Sequence, residues 1–146
     1  MLELLKDNDK KLKRKSKKIS KIDDSIHTLA KNLVETMVSN NGIGLAAPQC
    51  GIHKRIIVVL VNNEPRVMIN PEVIFTSQEN CSMEEGCLSF PGKFLTITRP
   101  EKITVKYRNL SGHPMLETHD GLTARILFHE IDHLDGIVFE DRVKND

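Results

Sequence analysis

Tryptophan is absent from these 146 residues, and only one tyrosine and five phenylalanines occur. An interior with so few rings has to be aliphatic. Long apolar runs are also missing. The longest, IIVVLV at 56–61, falls far short of the roughly 20 residues that span a bilayer. The start, MLELLKDNDKK, has no apolar stretch followed by small residues, which argues against a secretory signal. Cysteine is scarce. Three residues, an odd number without disulfide-like spacing, suit a reducing compartment, so a cytoplasmic setting is expected. A thiol is thereby left free for metal or chemistry. No repeat and no linker divides the chain, so one domain over 1–146 is expected.

Charge of one sign is not in excess, since the net is +1, but it is unevenly placed. Residues 1–21 hold nine Lys/Arg against three Asp/Glu, while the remainder holds twelve against seventeen. The run KKLKRKSKK, Lys10 to Lys18, suits phosphate contact. The plainer expectation is a solvated, partly flexible arm.

From Ile22 the pattern turns helical. Ile26, Leu29, Ala30, Leu33, Val34 and Met37 form one apolar stripe, with Asp23 and Asp24 as caps and Ser39-Asn40-Asn41-Gly42 as the stop. Arg55 to Val61 reads as a buried strand. Short segments at 67–69 and 72–76 are separated by Pro71, and KITVKYR (102–108) alternates as a half-buried strand does. Another short strand is expected at 115–118. Asp120 then caps a last helix that runs to about Leu134 and stops near Gly136. The sum is an α+β fold: an N-terminal amphipathic helix and a metal-binding helix among small mixed or antiparallel sheets.

That last helix contains HEIDH. Its spacing puts His129 and His133 on one face, one turn apart, which makes half of a tetrahedral metal site. Glu130 can reach a water held by such a metal without being a ligand. Few residues follow, so the third ligand is expected upstream: Cys50, Cys81, Cys87, or a histidine at 27, 53, 113 or 119. Cys87 stands out. Its stretch, EEGCLSFPG, reads as irregular chain, where a thiol is better placed to ligate than inside an aliphatic run. A third stretch, NNGIGLAAPQ (40–49), leaves the backbone nearly bare. It can pair with a peptide as an added strand, while the Gln49 amide can donate to an oxyanion.

GIGLAAPQ, EGCLS and HEIDH, in this order and spacing, resemble the three signature motifs of peptide deformylase, over about Ile22 to Phe139. The resemblance implies an α+β fold with the metal helix central. It implies removal of the formyl group from the formyl-methionine of newly made polypeptides, so that nascent formylated chains are the partners. It implies Cys87, His129 and His133 as ligands to one divalent ion, Fe²⁺ first, with Ni²⁺, Co²⁺ or Zn²⁺ as substitutes. Glu130 is implied as acid/base, and Gln49 and the Leu88 N–H as oxyanion donors. Gly44 is implied as a backbone contact, and Ile43, Met83, Leu122 and Ile126 as the methionine pocket. A transient ribosome contact is a further implied partner; a membrane and sequence-specific nucleic acid are not. Phe128 departs from the pattern, because relatives usually carry Gln there. Two other readings compete: a different metal-dependent peptidase or amidase, and a non-catalytic RNA-binding protein with a structural metal. The last needs a fourth protein ligand and no use for Glu130.

Overall fold

The computed structural model describes residues 1–143. Its two helices are α1 (Asp24–Ser39) and α2 (Gly121–Leu134). Between them runs strand β2 (Ile56–Val61), and its unbroken apolar sequence has a direct cause. Ile57, Val59 and Val61 pack in one core cluster with Ala124, Ile126 and Leu127 of α2. Ile56 and Val58 pack in another with Ile26, Leu29, Leu33 and Met37 of α1. A strand covered on both faces is apolar at every position. Each fully buried aliphatic side chain contributes about 1.5–3 kcal/mol.

The α1 stripe lies where the spacing predicts, and Asp23 Oδ1 accepts hydrogen bonds from the N–H groups of Ser25 and Ile26. Around β2 a five-stranded sheet forms in the order β1-β2-β3-β6-β7, with every pairing antiparallel. Here β1 is Gly44–Ala46, β3 is Glu64–Thr76, β6 is Lys102–Arg108 and β7 is Pro114–Asp120. A separate hairpin pairs β4 (Asn80–Cys87) with β5 (Phe90–Pro100).

Four expectations need correction. The segments on either side of Pro71 are one strand, because a bulge between Ile69 and Glu72 takes the proline out of the ladder. The chain around Cys87 is not irregular. Cys87 ends β4, Leu88 and Ser89 form the turn, and β5 follows. Pairing jumps from Gly86↔Phe94 to Cys87↔Phe90, so Pro91 and Gly92 sit in the bulge. Asp120 stands at the N-cap of α2 but its side chain makes no capping bond.

The fourth correction concerns the basic arm, which is docked rather than free. Its backbone N–H groups at Leu5, Asp7 and Ser16 donate to the carbonyls of Gln49, Ser89 and Leu134. Leu12, 1% exposed, packs with Phe90, Val138 and Phe139. The arm also crosses the end of α2. Gly136 has φ +74°, and a Cβ there would run into the Lys13 carbonyl.

Candidate metal centre

Helix α2 carries His129 and His133 with ring centroids 5.1 Å apart. The end of β4 brings Cys87 Sγ to 3.4 Å from His133 Nε2. The three donor atoms all lie within 4.8 Å of one another, the spacing of ligands on one tetrahedral ion. The other upstream candidates are not in this group.

The tautomer of His129 is set by its partner. Its Nδ1 donates to Glu85 Oε1 at 3.0 Å, which turns Nε2 toward the ligand cluster. Glu85 is buried and is held in turn by Arg99 and Arg125. Arg99 also donates to Asp132, which Arg142 grips with two further bonds. None of these residues is marked by the three motifs as a site residue. For Glu85 a signal existed, since it lies two residues before Cys87 on a strand and so on the same side. Arg99, Arg125 and Arg142 carry no local pattern, and only the tertiary fold gathers them.

Glu130 is also buried, and its Oε1 has no hydrogen-bond partner. Burial pushes its pKa up to about 7, into the range of a useful general base at neutral pH. Burial opposes charge on His129, but the neighbouring Glu130, Cys87 and Glu85 outweigh it and raise that pKa to about 10. His133 is driven the other way, well down, by burial and by His129. Anionic groups thus surround a point that already has two imidazole nitrogens and a sulfur as donors. A divalent cation would suit these donors.

Gln49 sits in a 3-10 turn (Ala47–Cys50) directly after β1. Its Oε1 accepts from the Ala46 N–H at 2.9 Å, which fixes the amide so that Nε2 faces Ser89 Oγ and Cys87 Sγ. Leu88 follows Cys87 in the hairpin turn. The arm braces both, through the bonds from Leu5 to the Gln49 carbonyl and from Asp7 to the Ser89 carbonyl. Gly44 of β1 lies against Glu130: a Cβ there would stand 2.6 Å from Glu130 Oε2 and 2.9 Å from Ile126 Cγ2.

Beside Glu130 and His129 opens a small cavity of about 90 Å³, with Ile43, Leu122 and Ile126 in its wall. Met83 is not among the residues lining it; it is 38% exposed on β4. A wider cleft of about 530 Å³ runs on from Gly44, Cys87 and Leu88 toward Leu4 and Phe94. Phe128 is partly buried and packs against the apolar core between α2 and the sheet.

A family model described as polypeptide deformylase matches residues 1–146. A curated peptide deformylase of Picosynechococcus sp. is 50% identical over 150 residues, covering 99% of this chain and 80% of its own. The crystal structure of peptide deformylase from Thermotoga maritima has TM-score 0.96 at 39% identity, covering 99% of both chains. A Met-Ala-Ser-bound peptide deformylase from Acinetobacter baumannii has TM-score 0.93 at 36% identity, covering 97% of this chain and 98% of its own.

Proposed function

The chain belongs to the polypeptide deformylase family, and from that premise we propose how its residues remove the formyl group from the N-terminal formyl-methionine of newly made polypeptides. The enzyme is a metal-dependent hydrolase that releases formate. The observation carrying the residue assignment is the convergence of Cys87, His129 and His133 beside a buried, unpartnered Glu130 oxygen.

Cys87, His129 and His133 hold one divalent ion. When bound, the ion acidifies a water and polarises the formyl carbonyl. Fe²⁺ is the proposed physiological ion, with Ni²⁺, Co²⁺ and Zn²⁺ able to replace it at one thiolate and two imidazoles. Glu130 takes the proton of the attacking water, and its raised pKa lets it return that proton to the departing amine. Gln49 Nε2 and the Leu88 N–H hold the oxygen that becomes negative as the formyl carbon turns tetrahedral. Gly44 on the edge strand β1 pairs with the peptide backbone, and the lack of a side chain lets the peptide and Glu130 share the space.

Ile43, Leu122 and Ile126 receive the methionine side chain, without Met83, which is absent from the cavity wall. The Met-Ala-Ser bound by the relative from Acinetobacter baumannii is the product expected from formyl-Met-Ala-Ser, which supports the same substrate for this chain. Such substrates exist where nascent chains emerge, which supports a cytoplasmic enzyme in transient contact with the ribosome. No helix among the described residues is long and apolar enough to cross a membrane.

Formate release from formyl-Met-Ala-Ser, run beside the unformylated peptide, tests this reading. Formate release with no cleavage of the unformylated peptide is expected. Peptide-bond cleavage instead would make the chain a general peptidase.

A further inference from the structure

The mechanism leaves unused a groove of about 660 Å³ that shares no lining residue with the cleft or with the methionine cavity. One wall is the arm, at Lys15, Ser16 and Lys18. The others are the β3 bulge at 70–73, β6 at Lys106 and Arg108, and the end of α2 at Ile131 and Asp135. The arm is fixed in this place. Asn70, in the left-handed region at φ +52°, bonds Ile19 through both its amide groups, and Ser16 N–H donates to Leu134 O.

Five cationic side chains line the groove against two carboxylates, Glu72 and Asp135. Asp135 is already paired with Arg55 at 3.0 Å, and Arg55 is further committed to the Leu134 carbonyl. Glu72 lies opposite Lys106 in the ladder. Lys15, Lys18, Lys106 and Arg108 make no salt bridge among the described residues, and all four are exposed. Repulsion among such cations is a cost that an anion relieves. The ring lining the groove, Tyr107, is only 3% exposed, so it offers no face for stacking a base. Recognition here reads charge, not base identity.

We infer that this groove binds phosphate groups, held by Lys15, Lys18, Lys106 and Arg108. Two sources present that chemistry: a small phosphomonoester, or the backbone of an RNA. The site is separate from the metal centre, so its occupancy does not require the catalytic residues.

The test uses the full chain loaded with Zn²⁺, with adenosine 5′-monophosphate and a short RNA duplex as probes. Backbone amide shifts follow where each binds. Perturbation of Lys15, Ser16, Lys106 and Tyr107 is expected. The triple variant Lys15→Gln/Lys18→Gln/Lys106→Gln should lower the slope of log affinity for RNA against log salt by about two to three, since each phosphate contact contributes about 0.9. Formate release should be unaltered in the lysine variant, which also serves as the check that it is folded. Binding of the monophosphate at these amides assigns the site to a small ligand. Binding of RNA alone assigns it to a nucleic-acid backbone. The inference is overturned if neither probe moves these amides, or if the matched control Lys10→Gln/Lys11→Gln/Lys31→Gln loses as much affinity.

Discussion

His129 Nδ1 donates to Glu85 Oε1 at 3.0 Å, and the same carboxylate is gripped by Arg99 and Arg125. One buried acid therefore orients a metal ligand and anchors two cations from other elements. Glu85→Ala should lower metal affinity by about 10- to 100-fold, the usual effect of removing a partner that orients a ligating histidine. Competition with a chelating dye measures it. Unchanged affinity would show that packing alone orients His129.

The same residue gives a pH prediction. Burial works against the Glu85 carboxylate, yet His129 and Arg99 hold its pKa down at about 2, from an ordinary 4.5. A depressed acid stabilises the fold above its unfolded pKa, and that stability is lost as pH falls toward the folded value. Between about pH 4.5 and 2 the metal-free protein should lose stability, and Glu85→Gln should flatten that limb while lowering stability at neutral pH. Urea midpoints across this range provide the measurement. Parallel limbs for the two proteins would contradict the assignment.

Glu130→Gln keeps shape and removes the proposed base. Glu130 lies outside the Cys87–His129–His133 group, so metal content should stay at that of the parent while formate release falls by about 10²- to 10⁴-fold. Loss of metal along with activity would instead mean that Glu130 has a structural part in the site.

Gly44→Ala separates steric fit from stability. The added methyl would stand 2.6 Å from Glu130 Oε2 and 2.9 Å from Ile126 Cγ2, so Glu130 has to move. A displacement of about 1 Å at a catalytic group costs about 10²-fold in rate. The expected result is a drop of that order in kcat/KM with metal still bound. Full activity would show that the cleft can yield at β1.

What the sequence made legible was local. HEIDH is readable because one helical turn joins its two histidines, and IIVVLV because a strand buried on both faces has nothing polar to show. Cys87 reads from the sequence as a ligand candidate on irregular chain, whereas it ends a strand. Pro91 and Gly92 disguised a strand because a bulge absorbs both. The run Lys10 to Lys18 reads as solvated because its cations are indeed exposed, while Leu12 and Ser16 alone among these nine residues turn inward. Two buried residues in nine set no periodicity. The Glu85–Arg99–Asp132 chain joins β4, β5 and α2, and no spacing rule connects residues so far apart in sequence.

Arg99 is the link whose loss should be felt most. It is 4% exposed and lies between Glu85 and Asp132, donating to both. Arg99→Ala leaves two buried carboxylates short of a cation, and the expected destabilisation is about 3–5 kcal/mol. Arg99→Lys should recover only a small part of it. A single ammonium cannot offer the two parallel donors that meet the Glu85 oxygens and still reach Asp132 from a third nitrogen. Urea denaturation of the metal-loaded proteins gives the stability difference, and metal affinity reports whether His129 has lost its support. If lysine restored both, the guanidinium's geometry would be irrelevant and its charge alone would hold the network.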